Sequence, residues 1–112
     1  MFDTKILKES VKDFVYSCES GAAGPGTKNN DLGTFKQMLA ARDELVKLRV
    51  AGEDIAFEAT RYAHKAKGLT TVEDIATALD VPIKQYQAAK EYRLSKELVE
   101  AMKSLNRALR RL

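Results

Sequence analysis

Lys84, Gln85 and Gln87 place an ammonium and two carboxamides within four residues of chain. Such groups donate and accept in the patterns that the edges of bases present. Thr70, Thr71, Lys90 and Arg93 flank them with hydroxyl and cationic donors suited to phosphate oxygens, which position a protein without reading sequence. Further on, the last ten residues hold Lys103, Arg107, Arg110 and Arg111 and no acid.

The rest of the inventory offers little for catalysis. His64 is the only histidine. Its helical neighbours Thr60, Arg61 and Gly68 include no carboxylate, serine or cysteine, so it reads as a surface residue beside basic neighbours. Cys18 is the only cysteine, which rules out an intramolecular disulfide and fits a reducing cytoplasm. One Cys and one His do not build an ordinary zinc site. Tyr16, Tyr62, Tyr86 and Tyr92 are scattered over helices and read as core-edge residues, not as a stacking platform. The segment GAAGPGTK at 21–28 is glycine-rich, but Thr27 precedes Lys28, and no apolar strand leads into it. A phosphate-binding loop needs the opposite order, so this is read as a flexible loop. No catalytic residue, metal or cofactor is expected.

The elements that must carry these residues are helical. Leu7, Val11, Phe14 and Cys18 recur at helical spacing, with Asp3 or Thr4 as the N-cap. Four glycines, a proline and two asparagines in residues 20–33 then break the pattern. A second helix is expected from about 34 to 50, around Phe35, Met38, Leu39, Leu45, Val46 and Leu48. A third is expected from about 53 to 67, around Ile55, Ala59, Tyr62, Ala63 and Ala66, stopped by Gly68. Thr70 and Glu73 have capping-box spacing, and Pro82 suits the first turn of a helix.

Residues 70–93, TTVEDIATALDVPIKQYQAAKEYR, therefore read as a helix, a turn at Asp80-Val81-Pro82, and a second helix. This arrangement resembles the helix-turn-helix of DNA-binding regulators over about a fifth of the chain. Ile75, Ala76 and Leu79 would pack the first helix, and Tyr86 and Ala89 the second. The resemblance implies that Lys84, Gln85 and Gln87 project toward base edges. It departs from the usual pattern in having Asp80 where glycine is common and Tyr86 where a smaller residue is usual.

From Ser95 onward, Leu98, Met102, Leu105, Leu109 and Leu112 alternate in steps of four and three. This is a short heptad seam on an amphipathic terminal helix, widened by Val99, Ala101 and Ala108. It predicts packing either against the chain's own domain or against a second copy.

Length and charge set the outer bounds. The chain has 112 residues, 45% of them hydrophobic and 31% charged, which is one small domain with a core. Residues 1–56 hold eight basic and nine acidic side chains, and residues 57–112 hold eleven and seven. The basic half is what a phosphate-facing surface needs. No apolar run approaches the length of a membrane span, and MFDTKILKES has no secretory pattern.

The expectation is an all-α fold of five to six helices in a single small domain. An N-terminal helix (1–19), a flexible Gly-rich loop (20–33) and a helical domain (34–112) would follow one another. The helical domain would hold the helix-turn-helix-like segment 70–93 and the terminal helix 95–112. The expected function is a small cytoplasmic DNA-binding protein, a transcription regulator that contacts double-stranded DNA through Thr70, Thr71, Lys84, Gln85, Gln87, Lys90, Arg93, Arg107, Arg110 and Arg111. Leu98, Met102, Leu105, Leu109 and Leu112 would serve a homodimer. The alternative is an all-α module that binds a partner protein through an apolar helical face.

Overall fold

Asp3, Asp31, Thr71 and Ser95 each supply a side-chain oxygen to the opening turn of a helix, where backbone amides have no intrahelical acceptor. The Asp3 carboxylate accepts from the Lys5 and Ile6 amides at 2.9 and 3.3 Å. The Asp31 carboxylate accepts from the Gly33 amide at 2.9 Å. The Thr71 hydroxyl accepts from the Asp74 amide at 3.0 Å, and the Ser95 hydroxyl from the Leu98 amide at 3.1 Å. The helices that follow are α1 (Thr4–Glu19), α2 (Leu32–Ala51), α3 (Val72–Ala89) and α4 (Lys96–Leu109).

The computed structural model describes residues 3–51, 69 and 71–111. The helix expected at 53–67, with His64 on it, lies outside the described residues, as do Thr70 and Leu112. The fold is all-helical in its described elements, with four helices sharing one core.

Polar ties set the directions of these helices. The Asp3 amide donates to Glu44 Oε2 at 2.6 Å, and the Ser17 hydroxyl to Gln37 Oε1 at 3.1 Å. The start of α1 therefore meets the later part of α2, and the two run antiparallel. Arg42 meets Asp80, and the Phe35 ring stacks on Tyr86 with centroids 4.3 Å apart. By the same logic α3 is antiparallel to α2, which sits between α1 and α3. The fourth helix, α4, packs chiefly on α1. Leu7, Val11 and Phe14 of α1 are fully buried, so α1 belongs to the same core as the other described helices.

The turn expected at Asp80-Val81-Pro82 is not there. α3 runs unbroken through all three residues. Val72, Ile75, Ala76, Leu79, Pro82, Ile83 and Tyr86 form one buried stripe along it, and that helical period crosses the supposed turn without a phase shift. Pro82 cannot donate to the carbonyl of Ala78, a real cost inside a helix. Burial of the stripe and the tie from Asp80 to α2 offset that cost. The helix-turn-helix unit is therefore replaced by a single 18-residue helix. The helix ends at Ala89, short of Arg93, because Lys90 takes a left-handed conformation with φ 60 and its amide closes on the Tyr86 carbonyl at 2.8 Å.

The terminal seam packs inward. Leu98, Met102, Leu105 and Leu109 are each 1% exposed or less, buried among residues of the chain's own core. They are not available as a dimer seam or as a docking face for a partner, and the sequence pattern had left both destinations open.

The Gly-rich segment is held by backbone pairing. Asn29 and Tyr92 exchange hydrogen bonds at 2.8 and 2.9 Å, and the Gly26 amide donates to the Leu94 carbonyl at 2.8 Å. Gly26 has φ 79, a conformation that suits a residue without a Cβ. Ala23 and Asn29 are buried, and the Ala23 amide donates to the Ser17 carbonyl at 3.1 Å. Among the described residues no helix is long and apolar enough to cross a membrane.

Candidate nucleic-acid interface

Lys84, Gln85 and Gln87 are exposed, but they sit in the C-terminal half of α3 and not at the start of a recognition helix. The difference matters electrostatically. A helix N-terminus carries the positive end of the macrodipole and free amides, and a C-terminus carries the reverse. Of the three side chains only Lys84 carries a charge, and the C-terminal end of α3 adds no attraction for an anion.

Gln85 is partly committed. Its Oε1 accepts from the Arg93 backbone amide at 2.9 Å, which locks the chain just beyond α3. Arg93 extends its guanidinium to the Gly26 carbonyl at 3.2 Å. The Lys90 ammonium lies over the Tyr86 ring, 5.3 Å from its centroid. Lys28 comes to the same region from the Gly-rich segment and meets the Glu91 carboxylate at 3.4 Å, with both side chains more than half exposed. This places Lys28, Lys84, Lys90 and Arg93 around one end of α3, with Glu91 as an acid among them. Sequence reasoning did not single out Lys28 for this surface. Its placement depends on the pairing of two segments far apart in the chain, for which neither segment carries a local signal.

The remaining expected contacts are not gathered there. Thr71 caps the opposite end of α3, about 27 Å away along an 18-residue helix. Arg107, Arg110 and Arg111 lie toward the far end of α4, about 16 to 22 Å from its start beside Arg93. Arg107 also donates to the Ser104 hydroxyl on its own helix at 3.2 Å. The predicted set is thus divided among separate parts of the surface.

Two clefts adjoin this end of the molecule. One, of about 340 Å³, has Ala88, Ala89 and Tyr92 among its walls and Lys28, Gln85, Glu91 and Arg93 around them. The other, of about 370 Å³, lies between the end of α1, residues 25–26 and one face of α4, with Cys18 and Lys103 in its walls. Burial pushes the Cys18 thiol up to about 11, against the pull of Lys103 and with a smaller push from Glu19. A thiol so protonated is a poor nucleophile at neutral pH. Burial likewise pushes the Tyr92 phenol up to about 12, opposed by the nearby Thr34 hydroxyl. Among the described residues no group of three or more His, Cys, Asp or Glu is arranged to hold a metal ion.

No family model, curated protein or solved structure matches this chain.

Proposed function

We propose that this chain is a small DNA-binding protein that holds the phosphate backbone with Lys28, Lys84, Lys90 and Arg93. The observation that supports the reading is the convergence of these exposed cations at the end of α3, drawn from two segments far apart in the chain. Binding by four cations releases counterions from the duplex, so affinity falls with salt on a log–log slope of about −3 to −4. Lys84, Gln85 and Gln87 do not lie at a helix N-terminus, and the Gln85 carbonyl already accepts from the Arg93 amide. Contacts of this kind position a protein on DNA more than they select a sequence. In this reading Gln87 and the amide nitrogen of Gln85 add base contacts.

The test is fluorescence anisotropy of a labelled duplex titrated with the chain across a salt series. The triple variant Lys84→Ala/Lys90→Ala/Arg93→Ala is expected to bind more weakly and with a shallower slope. Absence of binding by the wild type at low salt, or equal binding by both proteins, would overturn the proposal. Transcription regulation would require a site preference, and repeating the titration with duplexes of different sequence measures it.

A further inference from the structure

The cleft at the end of α3 and the outer face of α1 are chemically complementary. The cleft has an apolar floor at Ala88 and Ala89, and Lys28 and Arg93 stand beside it with Lys84 one turn back from Ala88. On α1, Tyr16 is 71% exposed, more than any other large hydrophobic residue described. Asp13 and Glu19 stand three residues to either side of it, on the same helical face and also exposed. Lys12 stands one turn back from Tyr16, and Glu91 lines the cleft and meets Lys28 at 3.4 Å, so acids outnumber cations around the ring and cations outnumber acids around the small-residue floor. Both features belong to the packed body of the molecule, since α1 and α3 are each bound to α2.

We propose that Tyr16 of one copy docks into the α3 cleft of a second copy, with Asp13 and Glu19 facing Lys28, Lys84 and Arg93. An aromatic anchor in a pocket carries most of the energy of such a contact, and the exposed charge pairs add orientation more than affinity. The proposed contact is head-to-tail, with a single Tyr16 entering a single cleft. After the first contact one copy retains a free cleft and the other a free Tyr16, so association continues into chains or rings instead of stopping at a two-fold dimer. The assignment is independent of the nucleic-acid reading, although DNA and a second copy would compete for the same cations.

The experiment is sedimentation velocity of the full chain without nucleic acid, at low salt, from micromolar to millimolar concentration. The average mass is expected to rise past that of a dimer, and Tyr16→Ala to weaken association by at least about tenfold. Lys84→Glu, whose side chain takes no part in the loop hydrogen bonds given above, is expected to weaken it as well. Mixing the two variants provides the decisive arm. Tyr16→Ala keeps its cleft and Lys84→Glu keeps its Tyr16, so together they should form a dimer that grows no further. A wild type that stays monomeric, a wild type that stops at a dimer, a Tyr16→Ala variant that associates like wild type, or a mixture that does not pair would each overturn the proposal. Circular dichroism of both variants confirms that they fold.

Discussion

Arg42 Nη1 donates to Asp80 Oδ1 at 2.7 Å across the contact between α2 and α3, with both side chains about one-third exposed. Arg42 also donates through Nε to Asp43 at 2.9 Å, so its guanidinium is held from two sides. The tie falls where the local sequence suggests a turn, and it fixes Asp80 within the helix.

Replacing Asp80 tests that tie. Asp80→Ala is expected to cost about 1 kcal/mol, the scale of a partly exposed charged hydrogen bond. Asp80→Gly is expected to cost about 2 kcal/mol, since a glycine in a helix interior adds about 1. Urea denaturation followed by circular dichroism measures both. If glycine proved stabilising at position 80, a turn would be the better description of this point.

Leu105 distinguishes a core residue from a dimer seam. It is fully buried in the chain's own core, so Leu105→Ala should lose about 3 kcal/mol. The loss should be the same at every protein concentration at which the chain is monomeric. A destabilisation that vanished on dilution would place Leu105 between copies.

Lys90 carries the left-handed stop of α3. A β-branched residue fits that conformation poorly and asparagine fits it well, so Lys90→Val should be about 1–2 kcal/mol less stable than Lys90→Asn. Thermal unfolding of the pair gives the difference. Both variants lose the ammonium over Tyr86, so that contact cancels in the comparison.

The thiol and the phenol make a pH prediction with a definite sign. Cys18 and Tyr92 titrate higher in the folded chain, at about 11 and about 12, because burial disfavours their charged forms. Above the ordinary pKa of each group the unfolded chain gives up a proton that the folded chain keeps. The stability is therefore complete below about pH 9 and is lost as pH rises through 11 to 12. Denaturation midpoints measured from pH 7 to pH 11 should fall in that alkaline window, and less steeply in Cys18→Ala. Alkylation of native Cys18 by iodoacetamide should stay slow at pH 7 and accelerate only toward pH 11.

The parts of the fold that sequence reasoning recovered are those with local causes. Asp3 caps α1 as its side-chain chemistry predicts, and the four-three spacing of Leu98, Met102, Leu105 and Leu109 marks one apolar face of α4. Periodicity identifies a face but not what covers it, and here the chain's own core does. At 80–82 the short-range signals of aspartate and proline opposed a longer hydrophobic period, and the long-range contacts of that stripe prevailed. The candidate surface was legible in its exposed cations Lys84, Lys90 and Arg93. It was not legible in Lys28, because position 28 reaches position 91 only through pairing between distant segments.

The backbone exchange between Asn29 and Tyr92 ties the link between α1 and α2 to the link between α3 and α4. Separating either helical pair from the other would break this clasp and expose Ala23 and Asn29. The amides of Asn29 and Tyr92 should therefore exchange with solvent deuterium only through global opening, as slowly as those of the helical core. A connector whose composition suggests easy cleavage would then resist proteolysis until the whole domain unfolds, and the two helical pairs would melt as one cooperative unit.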